Sequence, residues 1–391
     1  MLSGENKNFG FDFTQSCEAK ECFLEIDKKI LLSALSHVQS VVERRNIIPI
    51  LSNVLLIIKN GQMRLSATDM DILISEVIQT KAEKELAITL SAHLFYDIVR
   101  KLDEQHKIKL SFTSDSDKYI NISCGNSSFD LPTLPADKFP KLDDVNYTSK
   151  FKLPSVELKK MIDECKFSMS SEDIRYNLSG IYLHHHESSI RLVATDGHRL
   201  SVAYTNKIDN LKNFRGVIIP KKTIMELRKI IDESIEDIEL CLSDNKILFV
   251  GKQFSLLSKL IDAKFPDYED LIPKNNNIKI QVDASLFHNV VDRVATITNE
   301  KFRGIKFILD TNTLLITASD DIGNKAEEIL TVETDYTGRL ELGFNFRYIL
   351  DVMHVIRGDK VVCSFKDPFA PTVIEDISNK NFKYVVMPRR V

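Results

Sequence analysis

The sequence predicts an α+β protein made of three copies of one unit, each copy two helices packed on antiparallel sheet. Markers that return at a fixed interval are the first reason. LSATD at 65–69 returns as LVATD at 192–196 and, more loosely, as ITASD at 316–320, so Asp69, Asp196 and Asp320 stand 127 and 124 residues apart. KFP at 138–140 returns at 264–266, an interval of 126. Helical patterns that recur on the same schedule are the second reason. The interval is that of a domain rather than of a solenoid repeat. It suits a chain of 391 residues, too long for one ordinary core of ~100–150 residues.

The elements follow in order. Residues 1–20 form an N-terminal extension, expected to be flexible and assigned no function, before a first domain at 21–147. There, apolar residues at helical spacing (Leu31, Leu35, Val38, Val42) predict the first helix. Strand-like runs at Val54–Ile58 and Ile72–Val77 follow, with Asn60-Gly61 as a hairpin turn. A strand-like entry at Leu86–Leu90 leads into a second helix around Phe95, Ile98 and Leu102. The second domain, 148–275, repeats this with Leu158, Met161, Ile162 and Cys165, then the entry Val217–Pro220 and a helix around Ile224, Leu227 and Ile230. Pro220 suits a first helical turn, where a missing N–H costs nothing. A strand is expected at Ile247–Val250. The third domain, 276–391, has Leu286, Val290, Val294 and Ile297, a strand at Phe307–Leu309, the entry Leu340–Gly343, and a helix around Ile349, Met353 and Ile356. Linkers are expected near Asn146–Lys150 and Lys274–Asn277.

Composition narrows the class. Hydrophobic residues make up 43% and charged residues 28%, ordinary for a soluble globular protein. There is no run of 18 apolar residues, and Met1 to Lys20 lack the basic-then-apolar order of a signal peptide. The expectation is a cytoplasmic protein without a membrane partner. The six cysteines (Cys17, Cys22, Cys124, Cys165, Cys241, Cys363) show no CxxC or framework spacing and read as reduced structural thiols. The net charge of −4 hides a segregation. Six helix windows, 28–45, 93–101, 156–169, 220–231, 284–297 and 345–357, hold 16 Lys or Arg against 8 Asp or Glu; the remainder nets −12. Helices sharing the concave side of an arc would present a basic lining to a phosphate backbone, bound without base readout and weakened by salt. No zinc-finger spacing, helix-turn-helix or stacking-aromatic signature is found.

The chain resembles the bacterial DNA sliding clamp family, the beta subunit of DNA polymerase III, from about Cys22 to Val391. The segments that carry the resemblance are IPILSNVLL at 48–56, TLPADKFP at 133–140, FSMSSEDIRYNLSG at 167–180, VATDGHRL at 193–200 and SKLIDAKFPDY at 258–268. They continue with NEKFRGIKF at 299–307, AEEIL at 326–330, GFN at 343–345 and YVVMPRRV at 384–391. The resemblance implies that the three clamp domains form half of a closed ring, a head-to-tail homodimer around duplex DNA. It implies a non-enzymatic tether, without cofactor or metal, that confers processivity. Its partners would be the DNA polymerase III catalytic subunit, the clamp loader, and other polymerases and repair proteins bearing short clamp-binding peptides.

The same resemblance implies the sites. DNA-facing candidates are Arg45, Arg100, Tyr176, Lys221, Lys222 and Arg303. Glu172 stands where the family often has a neutral polar residue. A peptide pocket between domains 2 and 3 would take Arg175, Leu178, Thr195, Gly197, His198, Arg199, Leu200, Pro266, Leu271, Asn345, Tyr348, Val385, Met387 and Pro388. Leucines, a flexible methionine and a proline make an adaptable cleft for peptide anchors, and polar groups would fix a partner glutamine. Asn177 and Arg389 depart from commoner apolar or aromatic residues. The dimer seam would pair Phe129 and Leu131 with Thr296 and Ile297, with Glu327 and Glu328 adding charge.

Two rival readings have a basis in the residues. Asp196, His198 and Arg199 invite acid–base chemistry. However, the first repeat has Asp69-Met70-Asp71 and the third Asp320-Asp321-Ile322, so the histidine is not part of the repeat, and no GxSxG, P-loop, HExxH or GxGxxG occurs. His184-His185-His186 lies in a strand-like segment, where neighbours point to opposite faces, a poor metal cage. A non-ring scaffold of three repeats that binds peptides but not DNA is the other rival.

Overall fold

The computed structural model describes residues 22–44, 46–82, 85–112, 118–140, 145–208, 211, 213–231, 236–298 and 303–390. Among them, apart from short 3-10 turns, one order of elements runs three times: a strand, a helix, four strands, a helix, three strands. The first copy is β1 Cys22–Ile26, α1 Lys28–Val38, β2 Asn53–Lys59, β3 Gln62–Thr68, β4 Ile72–Gln79, β5 Leu86–Ser91, α2 Ala92–Lys101, β6 Ile108–Phe112, β7 Tyr119–Cys124 and β8 Ser127–Pro135. The second is β9 Ser149–Pro154, α3 Ser155–Cys165, β10 Gly180–His186, β11 Ser189–Thr195, β12 Arg199–Tyr204, β13 Val217–Pro220, α4 Lys221–Ile230, β14 Asp237–Leu242, β15 Lys246–Val250 and β16 Phe254–Lys259. The third is β17 Ile278–Asp283, α5 Ala284–Ala295, β18 Gly304–Asp310, β19 Thr313–Ser319, β20 Lys325–Thr331, β21 Arg339–Asn345, α6 Phe346–Val355, β22 Lys360–Phe365, β23 Thr372–Asp376 and β24 Asn379–Val386.

The described residues form two compact units, those up to 146 with 248–258, and those of 147–247 with those from 259 on. In the first, β2, β3, β4 and β5 pair antiparallel in the order β5-β2-β3-β4, and β1-β6-β7-β8 form a second run. The β2–β3 hairpin closes on Asn60 (φ 51°) and Gly61 (φ 70°), left-handed at both central positions as a tight hairpin requires. Helices α1 and α2 pack together over this sheet with Leu31, Leu35, Val38, Phe95 and Val99 fully buried.

The second unit holds the third copy and all of the second except the 248–258 stretch, which carries most of β15 and β16. Its β13-β10-β11-β12 run joins β24-β23-β22-β17 through the β12–β24 pair, Arg199 opposite Val386 and Leu200 opposite Val385. One continuous sheet thus spans two copies, and a second sheet, β20-β19-β18-β21, completes the third. Helix starts are set locally. The Asp283 carboxylate accepts from the Leu286 N–H at 2.7 Å, and the Asn345 side chain accepts from the Arg347 N–H at 3.1 Å.

Both sequence markers have a physical basis. After β3 and after β11 the chain makes the same turn. The Thr68 hydroxyl donates to Ile72 O (2.7 Å) and accepts from Met70 N (3.0 Å), while the Asp69 carboxylate accepts from Asp71 and Ile72 N–H. Thr195 and Asp196 repeat these bonds with Arg199 O, Gly197 N, His198 N and Arg199 N. The residue after the aspartate is left-handed in both, Met70 at φ 80° and Gly197 at φ 88°. Asp320 caps a variant turn through Ile322 and Asn324 N–H. In KFP the phenylalanine is a core plug, Phe139 at 5% and Phe265 at 6% exposure.

Some expectations fail. Leu286 is 45% exposed and Phe287 takes its core place, one helical turn before the buried pair Val290 and Val291. Ile297 lies beyond the end of α5. Ser149 and Lys150, expected in a linker, already belong to β9, paired with Leu242 and Cys241. Asn276 in the other expected linker is buried, its Nδ2 donating to Ser364 O and Pro371 O. Pro220 closes β13 and stands at the N-cap of α4, one position before the first turn.

Candidate functional site

The Thr195–Leu200 turn and the end of β24 meet where β12 pairs with β24. The Met387 N–H donates to His198 O at 2.9 Å, prolonging the ladder past the strand. Beneath lies a core cluster of Leu178, Val193, Leu200, Val202, Ile218, Phe265, Tyr268 and Val385. Above it opens a cleft of about 370 Å³. Eight of the expected pocket residues line it: Thr195, Gly197, His198, Arg199, Leu200, Leu271, Val385 and Met387. Its other walls, which no sequence motif indicated, are Asp270 and 273–276 beside Leu271, and Lys366, Ala370 and Pro371 of the β22–β23 loop. Leu271 (49% exposed) and Met387 (40% exposed) hold apolar surface at the rim.

Arg199 organises this site. Its guanidinium bonds Asp196 Oδ2 (3.0 Å), Phe167 O (2.6 Å) and Asp351 on α6, and it lies 4.5 Å from the Tyr348 ring centroid. Such a charge-assisted, ring-stacked arginine fixes a loop more firmly than a lysine could. Tyr348 also stacks on His198, and burial raises its phenol pKa. Arg175 closes the turn from outside, donating to Asp196 O at 3.1 Å; a Cβ on Gly197 would meet its Nη1 at 2.7 Å. Asn345 caps α6, Leu178 lies in the floor, and Pro266 follows the Phe265 plug. Pro388 lines a neighbouring cleft instead. The Asn177 Nδ2 donates to Lys264 O at 3.4 Å.

This geometry does not favour acid–base chemistry at Asp196 and His198. Asp196 Oδ1 accepts the turn's N–H groups and Oδ2 accepts from Arg199, and Asp69 Oδ1 makes the same turn bonds in a copy that has no histidine there. The histidine run is likewise used in packing: His184 bonds the Tyr268 hydroxyl at 2.9 Å and His186 pairs with Glu269 at 3.5 Å. Cys124, Cys165, Cys241 and Cys363 are buried and free, and burial pushes the Cys363 thiol up to about 12.

Of the DNA-facing candidates, Arg45 lies outside the described residues. Arg100 is exposed on α2, 3.2 Å from Asp97. Lys221 and Lys222 open α4, with the Lys221 N–H bonded to Ser179 O, and Tyr176 is 60% exposed on the 3-10 turn that ends just before Ser179. Arg303 is left-handed (φ 48°) and its carbonyl accepts from Phe346 N–H. Glu172 is exposed and 3.7 Å from Arg175. For the dimer seam, Phe129 is 38% exposed, whereas Leu131 points into its own core at 5% exposure. Thr296 and Glu327 are exposed, and Glu328 on the edge strand β20 is held by Arg293 at 2.6 Å.

Three family models cover almost all of this architecture in order: the DNA polymerase III beta subunit N-terminal domain at 22–143, its central domain at 152–267 and its C-terminal domain at 269–390. The chain belongs to the DNA polymerase III beta subunit family. The beta sliding clamp of Caulobacter vibrioides is 41% identical over 374 residues, 94% of this chain and 100% of that one. The Escherichia coli K12 clamp is 34% identical over 368 residues, 94% and 99%. Among solved structures, a Caulobacter crescentus beta sliding clamp with bound polyethylene glycol matches with a TM-score of 0.90 at 40% identity, covering 95% of this chain and 99% of that one. A Pseudomonas aeruginosa sliding clamp bound to griselimycin matches at 0.91 and 32%, covering 95% and 100%. The beta subunit family is a non-enzymatic processivity factor, consistent with a turn whose polar groups are spent on structure.

Proposed function

We propose that two copies of this chain close head to tail into a ring around duplex DNA and tether replicative and repair polymerases to it. The observation that carries this is the ordered match of all three beta-subunit domains to a chain that folds as three copies of one unit. Arg45, Arg100, Tyr176, Lys221, Lys222 and Arg303 serve as sequence-independent phosphate contacts, weak enough to let the ring slide. The cleft at Thr195–Leu200, Leu271, Val385 and Met387, with Arg175, Leu178, Pro266, Asn345, Tyr348 and Pro388 around it, docks short peptides of the polymerase, the clamp loader and repair proteins. Phe129, Thr296, Ile297, Glu327 and Glu328 contribute to the seam, with Leu131 supporting it from within. The working compartment is the cytoplasm; among the described residues no helix is long and apolar enough to cross a membrane.

Retention on DNA tests the ring. The protein is loaded by a clamp loader onto nicked circular DNA, the salt is raised, and the circle is then cut. Retention on the circle with rapid loss after cutting is expected. Equal loss from both, with a loader active on another clamp, would leave a peptide-binding scaffold without a topological link.

A further inference from the structure

A second cleft, of about 450 Å³, adjoins the first within the same unit. Consecutive residues of two segments line one cleft and then the other. Ala370 and Met387 line the first cleft, while their chain neighbours Phe369 and Pro388 line the second. Phe369 is 73% exposed, presented by a turn in which the Asp367 carboxylate accepts from Phe369 and Ala370 N–H, both at 2.9 Å. On the other side the tail is pinned to β21 by the Arg389 N–H, which donates to Gly343 O at 2.8 Å. Among the described residues, the charged groups lining this cleft are Lys306, Arg389, Arg390 and Glu341, three cations to one carboxylate. Glu341 pairs with Lys306 (2.5 Å) and Arg339 (2.9 Å). Arg389 and Arg390 are both exposed.

From these neighbours we infer that the second cleft prefers an acidic flank on the peptides whose apolar anchors fill the first, with Arg389 and Arg390 as the specificity-determining residues. This rests on the peptide-docking reading of the first cleft and adds to it a partner chemistry. A peptide leaving the first cleft between Met387 and Ala370 reaches an exposed aromatic ring beside two guanidinium groups. Carboxylates suit that end, since guanidinium matches them with paired N–H donors. Exposed pairs of this kind contribute little each, so two together change affinity by about fivefold, and salt screens them.

Fluorescence anisotropy on the full-length chain tests the inference. Three labelled peptides share a glutamine followed by leucine and phenylalanine anchors. One is flanked by serines, and the others carry three glutamates at one end or the other. One acidic peptide is expected to bind about fivefold tighter than the serine peptide at low salt. In the double variant Arg389→Ser, Arg390→Ser, surface changes that spare the core, that affinity ratio should fall towards one. Equal affinity of acidic and serine peptides would overturn the inference while leaving the docking reading intact. So would an unchanged ratio in a double variant that has lost affinity for duplex DNA, because the arginines would then serve DNA. Failure of all three peptides to bind would overturn the docking reading and this inference with it.

Discussion

Gly197 shows how a single residue ties a local turn to the candidate peptide cleft. At φ 88° it lies in the left-handed region, but Met70 holds φ 80° at the equivalent turn of the first copy, so a side chain is tolerable there. Gly197→Ala should therefore cost only about 1 kcal/mol, a melting shift of a few degrees. The larger effect falls on Arg175, whose Nη1 would stand 2.7 Å from the new Cβ. Peptide affinity measured by anisotropy should drop more than stability does, and a large loss of stability would mean the turn is stiffer than Met70 implies. Glu164 gives a second prediction. Burial, outweighing the hydrogen bond from the Tyr384 hydroxyl, pushes its carboxyl from 4.5 up to about 7. The folded chain then holds a proton that the unfolded chain has released. This contribution, of order 3 kcal/mol, is complete below pH 4.5 and is lost as pH rises towards 7. Neighbouring Asp376 has the opposite sign. Burial works to raise its carboxyl, but hydrogen bonds from Ser378, Gly358 and Arg357 together outweigh that and hold it low, so its stability is lost in acid. Glu164→Gln should flatten the fall in melting temperature between pH 5 and 7.5. Parallel profiles for variant and parent would refute the assignment.

At the scale of elements, β24 does two jobs. Its Tyr384 is buried against Glu164 of α3, while Val385 and Met387, at its end, line the cleft. Beyond Val386 the chain is held by the Met387 and Arg389 backbone bonds at 2.9 and 2.8 Å. Ending the chain at Val386 removes these two, each contributing about 1 kcal/mol, and leaves the β12–β24 ladder in place. A small loss of thermal stability is expected, together with at least a tenfold loss of peptide affinity from the missing Met387 rim. The same separation applies to Leu271→Ala at the exposed rim. If peptide binding survived both changes, the cleft would not be the docking site.

At the scale of the whole molecule, a ring of two copies requires a solution mass near twice 44.7 kDa, measured by light scattering across a dilution series. A mass of one chain at every concentration, without retention on circular DNA, would argue for the scaffold. On linear DNA a ring should slide off an open end at a rate that salt alters little, since its hold is topological. A groove binder would instead lose affinity steeply with salt through counterion release.

Three copies of one unit were legible in the sequence because domain-scale repetition leaves local marks. The Thr-Asp turn and the buried phenylalanine of KFP depend on a few neighbouring residues, and both recur from the first copy to the second, while the third keeps a variant of the turn. Helical spacing found most buried faces, yet it placed Leu286 inward where Phe287 is buried, since two adjacent apolar residues leave the face undecided. The Thr195–Leu200 turn was visible as a motif. The cleft walls at Lys366, Ala370 and Pro371 were not, although an apolar Pro-Phe-Ala-Pro run in a charged stretch was a usable signal. The sequence alone therefore determined the repeated unit and its turns, which are short-range consequences of backbone hydrogen bonding and apolar spacing. Only the tertiary structure decided which distant segments share a cleft, because the β12–β24 pairing brings Leu200 beside Val385 across nearly half the chain, and no local pattern encodes that register.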